Sequence, residues 1–450
     1  MSVTGKDLIE MGYKPAPLFK HVIETATDIE DARRMAEHEL SLIPETLPLQ
    51  DAISYSRYIE ATNDDEAANL DAVIRTMDLL VRTPTVRQAA IMPDACPAGP
   101  DGTIPVGGVV AAENAIHPGM HSADICCSVM LTEFDGVDPA RLMDVMHVVT
   151  HFGPGGRILE FPVKMTDDLL IRICGNRFLN DERTIDLARD HFATQGDGNH
   201  FTYVGTMKST GRTTLVTHHG SRGFGAALYK KGMALAEKYR KKLSPDTLKQ
   251  NAWIPADSED GREYWEALQI VREWTKQSHA ALHMECGFWT GATAVRNFWN
   301  EHNFVFRDGD MFWHGKGATP TRADFLPDTT GLQIVPLNMA QPVLIIEQGA
   351  NDLGFAPHGA GRNMSRTAHK RGLCETDEHV FARETAGIDA RFWCGKPDVS
   401  ELPSAYKNAD SIRNAINKYR LAKVVDMVIP YGAIMAGDWE SDAPWRKTAK

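Results

Sequence analysis

No stretch of this 450-residue chain approaches the roughly 18 apolar residues that a membrane-crossing helix needs, so no membrane partner is expected. The first residues, Met1 to Glu10, are polar and carry no apolar signal core, which argues against secretion. A disulfide framework is missing too. The seven cysteines (Cys96, Cys126, Cys127, Cys174, Cys286, Cys374 and Cys394) show no compact spacing. Their odd number fits reduced thiols in a cytoplasmic setting. Nor is there an excess of positive charge: 48 Lys and Arg stand against 60 Asp and Glu, a net charge of −12. That excludes a protein that coats nucleic acid non-specifically. Internal repeats, low-complexity tracts and obvious linkers are also lacking.

What is present is ordinary globular material, 43% hydrophobic and 24% charged. The length supports one large domain or two to three ordinary ones. Positive charge is concentrated locally, so a nucleic-acid substrate stays open. Lys230, Lys231, Lys238, Arg240, Lys241 and Lys242 form one group on a predicted helix after Gly225, where the bland reading is a solvated face. Arg362, Arg366, Lys370 and Arg371 form a second, beside a candidate nucleophile.

The first ninety residues read as helical. Thr4 caps a short helix carrying Leu8, Ile9 and Met11, which Gly12 ends; Asp28 caps another running toward Leu42; Asp64 or Asp65 caps a third running through Leu80. From Ile91 the texture changes. Residues 91–130 are rich in Gly, Pro and short apolar runs such as Val106 to Ala112, a pattern of strands joined by tight turns. Thr213 to Thr217 and Pro342 to Ile346 read as buried strands, and 225–243, 262–281 and 408–427 as helices. The expected fold is α+β. A helical N-terminal segment, 1–90, packs on a single large catalytic domain, 91–450, whose sheets are surrounded by helices and whose strand-end loops carry the site.

Several segments set reactive side chains among small residues. In His121-Ser122-Ala123-Asp124-Ile125-Cys126-Cys127-Ser128, an acid and a thiol three residues apart reach one or two metal ions from a single turn. Gln195-Gly196-Asp197-Gly198-Asn199-His200-Phe201 turns sharply at its glycines and presents Asn199 and His200. Thr217-His218-His219-Gly220-Ser221-Arg222-Gly223 joins a strand to a basic helix, a usual way to offer donors to phosphate, with Arg222 as a forked donor. Trp313-His314-Gly315-Lys316-Gly317 sets another histidine in a Gly-rich turn.

A lone histidine is more often a hydrogen-bonded core residue than a ligand, and a buried cysteine usually only packs. Three histidines in Gly-rich turns, with Asp124 and Cys127, shift that balance toward a metal centre suited to zinc, manganese or iron. His21, His38, His147, His151, His191, His279, His283, His302 and His379 lack the pattern or lie in helical contexts, and read as structural. Finally, Pro357-His358-Gly359-Ala360-Gly361-Arg362 places His358 in a glycine-flanked loop as a candidate nucleophile. Neutral imidazole is competent for that role near its unperturbed pKa of about 6.5. The combination points to metal-dependent nucleotidyl transfer on phosphate groups.

The ordered set resembles the RtcB family of RNA ligases. Met92-Pro93-Asp94 with Pro105-Val106-Gly107-Gly108-Val109 resembles that family's first signature, and Asp124 to Ser128 its Asp-x-x-Cys-Gly turn. Gly198-Asn199-His200-Phe201, His218-x-Gly220-Ser221-Arg222-Gly223 and His314-x-Lys316-Gly317-Ala318-Thr319 resemble the next three, and His358-Gly359-Ala360-Gly361-Arg362 with Met364-Ser365-Arg366 the nucleophile loop. The likeness spans roughly residues 90–370 in the family's order.

The resemblance implies a GTP-dependent enzyme using two manganese ions, or zinc or another divalent ion in their place. Its partners would be RNA ends, 3′-phosphate or 2′,3′-cyclic phosphate and 5′-hydroxyl, as in tRNA splicing and RNA repair, with room for an activating companion protein. By position, Asp124, Cys127, His200, His218 and His314 would hold the two ions, with Cys127 between them. His358 would attack the α-phosphate of the nucleotide and become a phosphoramidate. Asn199, Gly359, Ala360 and Gly361 would contact the nucleotide, and Arg222 a phosphate.

The chain departs from the family at identifiable places. Cys126 replaces an Asn in the metal turn, either as a bland substitution or as a disturbance of the ligand set. Tyr203 stands where a Glu that helps read guanine is usual, Gln348-Gly349-Ala350 where a Pro-Gly-Ser loop is usual, and Met435 where a base-contacting Lys is usual, with fifteen residues following it. The phosphate and metal chemistry therefore reads as intact and the base pocket as rebuilt, with altered nucleotide choice expected. Two other classes fit the same residues. One is a metal-dependent phosphohydrolase or end-healing enzyme without ligation, and the other a non-catalytic RNA-end or nucleotide binder. Retention of His358 together with the ligand set argues against the binder.

Overall fold

Two main sheets gather the strand-forming runs in the computed structural model, which describes residues 3–41, 46–157, 163–326 and 330–439. The larger runs in the order Gln333–Val335, Val343–Gln348, Ala422–Met435, Phe201–Met207, Thr213–His219, Ser128–Asp135 and Thr293–Glu301, all antiparallel. Asp389–Phe392 adds a short parallel pairing to the end of Ala422–Met435. Thr213–His219 is buried at every position, as a strand covered on both faces must be. The smaller sheet orders Ser56–Arg57, Val86–Cys96, Val106–Glu113, Met311–Lys316 and Asn303–Asp308. A single residue, His302, separates Thr293–Glu301 of the larger sheet from Asn303–Asp308 of the smaller one. The chain crosses between sheets there.

Helix Glu259–Thr290 covers part of the larger sheet. Ser258 caps it by accepting from the Gly261 backbone, and Gly291, at φ +73°, ends it in the left-handed conformation that glycine adopts without strain. Tyr264, Leu268, Val271, Trp274 and Leu282 recur along its buried side and share a core with Met130 and Trp299 of the sheet. Helix Arg222–Leu243 adds Phe224, Leu228 and Ala236 to the same core.

The α+β expectation holds, with local corrections. Thr4 and Asp7 form a capping box on helix Gly5–Glu10. Asp28 accepts from the backbones of Glu30 and Asp31 at the start of Ile29–Ser41, and Leu42 lies outside the described residues. A helix at Leu18–Thr25 was not expected. Val3, Leu8, Val22, Ala32 and Ala36 of this region close a small core of their own. Asn63, one residue before the expected acids, caps Asp64–Leu80, which packs Val73, Met77 and Leu80 against Val86, Ile91 and Val110 of the smaller sheet.

The largest error concerns 408–427. The helix there covers only Ala409–Lys418; Arg420, at φ +54°, then turns the chain into strand Ala422–Met435. Val424, Val425, Val428 and Ile429 favour extended backbone, and the strand's place inside the larger sheet outweighs the helical periodicity. Among the described residues no helix is long and apolar enough to cross a membrane.

Candidate active site

Asp124 and Cys127 stand on the turn that leads into strand Ser128–Asp135. Ser122 and Cys126 both take positive φ there, +74° and +59°. The turn is tied down from two sides: the Cys126 backbone donates to Asn303 O at 2.7 Å, and the Ser221 hydroxyl donates to Ile125 O at 2.5 Å. Gly220 lies so close that a Cβ would overlap the Asp124 carboxylate. The Cys126 thiol is fully buried in the main core, where burial pushes it well above its ordinary pKa, and it joins neither group of ligating atoms.

Strands Phe201–Met207 and Thr213–His219 bring His200 and His218 to Cys127. The thiol Sγ is 3.5 Å from His200 Nε2 and 3.2 Å from His218 Nε2, and His200 Nε2 is 3.1 Å from Asp124 Oδ2. Each ring is oriented from behind, His200 Nδ1 by Gln195 O at 2.7 Å and His218 Nδ1 by Asn199 O at 3.0 Å. A proton held at Nδ1 leaves a bare Nε2 lone pair aimed at the thiol, the arrangement that second-shell carbonyls impose on metal-binding histidines. Burial, and then repulsion from His200, lowers His218 to about 3, so its ring is neutral. Burial works against ionising Asp124, yet His200 first, then Cys127 and His218, hold it at about 2. These donors form two overlapping groups, Asp124-Cys127-His200 and Cys127-His218-His302, which share the thiol.

The histidine that the fold brings into these groups beside His200 and His218 is His302, and His314 is in neither group. His302 Nε2 lies 3.2 Å from His218 Nε2, and its ring is pushed well below its ordinary pKa by burial and then by His358, His218 and His200. Its backbone donates to Cys127 O at 2.9 Å, so the crossing between the sheets fixes the ring beside the thiol. His314 is turned away. Its Nε2 accepts from the His117 backbone at 2.9 Å, its Nδ1 contacts Phe312 O, and it lies among His117 and His121 in the interior. The Gly-rich flank does not mark the histidine that the fold brings to the thiol; the signal that does is the polar Glu301-His302-Asn303 break between two strand-forming runs. Imidazole, thiolate and carboxylate converging this way fit a divalent transition ion.

His358 stands over this centre, its ring 4.9 Å from that of His302. Fully buried Asp94 orients it, with Oδ2 accepting from His358 Nδ1 at 2.6 Å and from the His358 backbone at 3.1 Å. That leaves Nε2 as the free ring nitrogen. The loop closes tightly on Asp94, because Gly361, at φ +71°, sits where a Cβ would overlap Asp94 O. Lys407 donates to Pro93 O and Ala95 O on either side of the acid. Asp94 appeared in the sequence only as part of a motif; its function as the holder of His358 was missed.

A cavity of about 340 Å³ joins these parts, lined by Asp124, Cys127, Asn199, His218, His302 and His358, with the Gly359-Ala360-Gly361 backbone. Lys316 lines it too, lowered to about 8 by burial, with Nζ donating to Ile104 O. Of the second basic group, Arg362 and Arg366 line the cavity and both donate to buried Glu401. Lys370 pairs with Asp398 and Asp438. In the first group Lys231 pairs with Asp181, and Arg240 and Lys241 with Glu237.

Arg222 departs from expectation. It donates from Nε to Thr194 Oγ1 and from Nη2 to Gly153 O, outside the cavity lining. Tyr203 and Met435 do line the cavity, whereas Ala350 does not, since Gly349 before it packs on the backbone of Arg420 to Ala422.

Comparison with known proteins places the chain in a family of RNA ligases. The family model described as tRNA-splicing ligase RtcB matches residues 176–436, more than half of the chain, and the chain belongs to that family. It is similar to the tRNA-splicing ligase RtcB of Aeropyrum pernix, 25% identical, with 73% of this chain and 84% of the relative covered. The RNA-splicing ligase RtcB of Escherichia coli K12 is also 25% identical, covering 73% of this chain and 86% of its own. The tRNA-splicing ligase RtcB of Archaeoglobus fulgidus is 28% identical, covering 55% and 60% respectively.

Proposed function

We propose that the chain joins RNA 3′-phosphate or 2′,3′-cyclic phosphate ends to 5′-hydroxyl ends through a histidine–nucleotide intermediate on His358. The observation that carries this is the Asp94–His358 pair set directly over the His302 ring and the Cys127-His218-His302 group. Asp124, Cys127, His200, His218 and His302 would hold two divalent ions, manganese being the family's expectation, with Cys127 shared. When bound, they supply charge neutralisation at the reacting phosphates.

The chain's own residues do the rest. His358 Nε2 attacks the α-phosphorus of a nucleoside triphosphate, the N–P bond forms, and the P–O bond to pyrophosphate breaks. Positive charge grows on the imidazole as it does so, and the Asp94 carboxylate, already on Nδ1, stabilises it. An oxygen of the RNA 3′-phosphate then attacks the same phosphorus and displaces His358, leaving the RNA end activated. The 5′-hydroxyl of the second RNA attacks that activated phosphate, loses its proton to solvent, and expels the nucleoside monophosphate. A 2′,3′-cyclic end must first be opened by water. Asn199 and the Gly359 to Gly361 backbone contact the nucleotide, and Arg366, which reaches from Glu401 toward Gly198, meets the RNA phosphate.

The test is incubation of the protein with α-labelled nucleoside triphosphates and manganese, followed by denaturing electrophoresis and mass analysis. The reading expects an acid-labile adduct that is absent from His358→Ala, and sealing of RNA carrying the two end types. Metal-dependent opening of cyclic phosphates without any protein adduct would overturn it in favour of a phosphohydrolase.

A further inference from the structure

Helix Arg222–Leu243 turns one side to the core and the other to solvent. Leu228, Gly232 and Ala236 are buried, and Gly232 lies so close to Tyr264 that a Cβ would overlap its hydroxyl. Two residues further on, each position has moved about 200° round the helix, so Lys230, Ala234 and Lys238 point away from that core. All three are exposed, and Lys242, one turn beyond Lys238, is exposed with them. The helix springs from the candidate ligand turn, for a Cβ at Gly220 would overlap the Asp124 carboxylate and the Ser221 hydroxyl donates to Ile125 O. At about 1.5 Å per residue, the three lysines lie from about 12 to about 30 Å along the axis from Arg222.

The fold sorts this basic group into two sets. Lys231, Arg240 and Lys241 are neutralised by Asp181 and Glu237. Lys230, Lys238 and Lys242 form no ion pair among the described residues, although acids outnumber bases in the chain by 60 to 48. A solvated helix face usually mixes its signs and pairs them one turn apart. This stripe carries one sign only, and Lys238 and Lys242 stand at a spacing where like charges repel. The arrangement opposes helix stability, whereas three ammonium groups along one line suit successive phosphates of a polyanion.

We propose that Lys230, Lys238 and Lys242 form a track for the phosphate backbone of RNA, holding the body of a strand whose end lies in the cavity. The choice of RNA as the polyanion rests on the ligase reading. Binding then depends on length, because a short end fills the cavity alone and only a longer RNA reaches the track. Lysine acts here as a point charge without base contacts, so the track adds affinity without sequence preference. Three phosphate contacts steepen the salt dependence of binding by about 2 to 3 in log–log slope.

The experiment compares the unaltered protein with the triple variant Lys230→Gln, Lys238→Gln, Lys242→Gln. A charge-matched control carries Lys6→Gln, Lys418→Gln and Lys423→Gln, whose lysines pair with Glu10, Glu60 and Glu347. Thermal unfolding reports that each protein is folded. Binding is measured on RNAs of about 20 and about 5 nucleotides with the same 3′-phosphate end, at salt from about 50 to 200 mM. The stripe variant is expected to bind the longer RNA roughly tenfold more weakly, with the slope reduced by about 2 to 3, and the shorter RNA as before. The control is expected to match the unaltered protein. Unchanged affinity and slope for the longer RNA, an equal loss with the shorter one, or an equal loss in the control overturns the track. Stripe-dependent RNA binding by a protein that neither forms the nucleotide adduct nor joins ends supports the track and overturns the ligase reading, so the two failures are distinct.

Discussion

Exchange of Asp94 for Asn isolates what the buried carboxylate does for His358. Asp94 Oδ2 accepts two hydrogen bonds from the histidine, at 2.6 Å from Nδ1 and 3.1 Å from the backbone. Asn keeps the shape but removes the charge, turning a charge-assisted bond worth about 1.5–3 kcal/mol into a neutral one near 1 kcal/mol. That alone slows attack by roughly tenfold. If the Asn amide instead donates to Nδ1, the ring proton moves to Nε2 and the nucleophile is blocked. The corresponding change in serine hydrolase triads lowers turnover by about 10⁴. Adduct formation by Asp94→Asn is therefore expected to fall between about 10 and 10⁴-fold. Metal content should be unchanged, because Asp94 is in neither ligating group. The assay is single-turnover labelling with an α-labelled nucleotide, paired with metal analysis and thermal unfolding of the same sample. A rate within threefold of the parent, or a loss of rate that tracks a loss of metal, would refute the argument.

Three further outcomes are expected. His302→Ala should lose bound metal, whereas His314→Ala should keep it and lose about 1–3 kcal/mol of stability, because the buried His117 N–H loses its acceptor; metal analysis and urea unfolding of both variants decide between the two histidines. Gly220→Ala should push the Asp124 carboxylate aside and weaken metal binding by about 10–100-fold, read by titration with a competing chelator. The fold should also lose stability in mild acid. Burial lowers His117 and His283 to about 3, so both are neutral in the folded chain and protonated below about 6.5 in the unfolded one. Their contribution is full above pH 6.5 and is lost as pH falls below it, by about 2 kcal/mol each at pH 5. The loss of stability between pH 7.5 and 5, read by urea unfolding, should be smaller by about 2 kcal/mol in His283→Gln, and an unchanged pH dependence in that variant would count against the assignment.

What could be read before folding divides along a physical line. Capping by Thr4 and Asp28, the strands at Val106 and Thr213, and the candidate ligands Asp124, Cys127, His200 and His218 announce themselves through local chemistry: a side chain that accepts from its own backbone, a run of buried residues, a turn that bares a donor. Residues whose function depends on what lies opposite them could not be read that way. Asp94 acts only because the chain returns 264 residues later with His358, and nothing near Asp94 encodes that meeting. Residues 422–427 carry a pattern compatible with a helix, and only the partner Val343–Gln348 makes them a strand.

His302 and His314 show the same division within one function. Glycine flanks say that a backbone turns, not where the turn is aimed. In the fold, Gly317, at φ +62°, ends the strand that keeps His314 inside, with its ring taken up by His117 and Phe312. His302 has no such flank, yet it sits where one strand-forming run passes from the larger sheet to the smaller, with its backbone bound to Cys127 on one side and Ala318 on the other. A residue at such a crossing is held on both sides by the ladders that flank it, so its side chain is placed more rigidly than a loop could place it. Where two sheets meet, a polar residue that interrupts two apolar strands is thus a stronger candidate ligand than a histidine in a flexible turn, because its position is already determined by the strands.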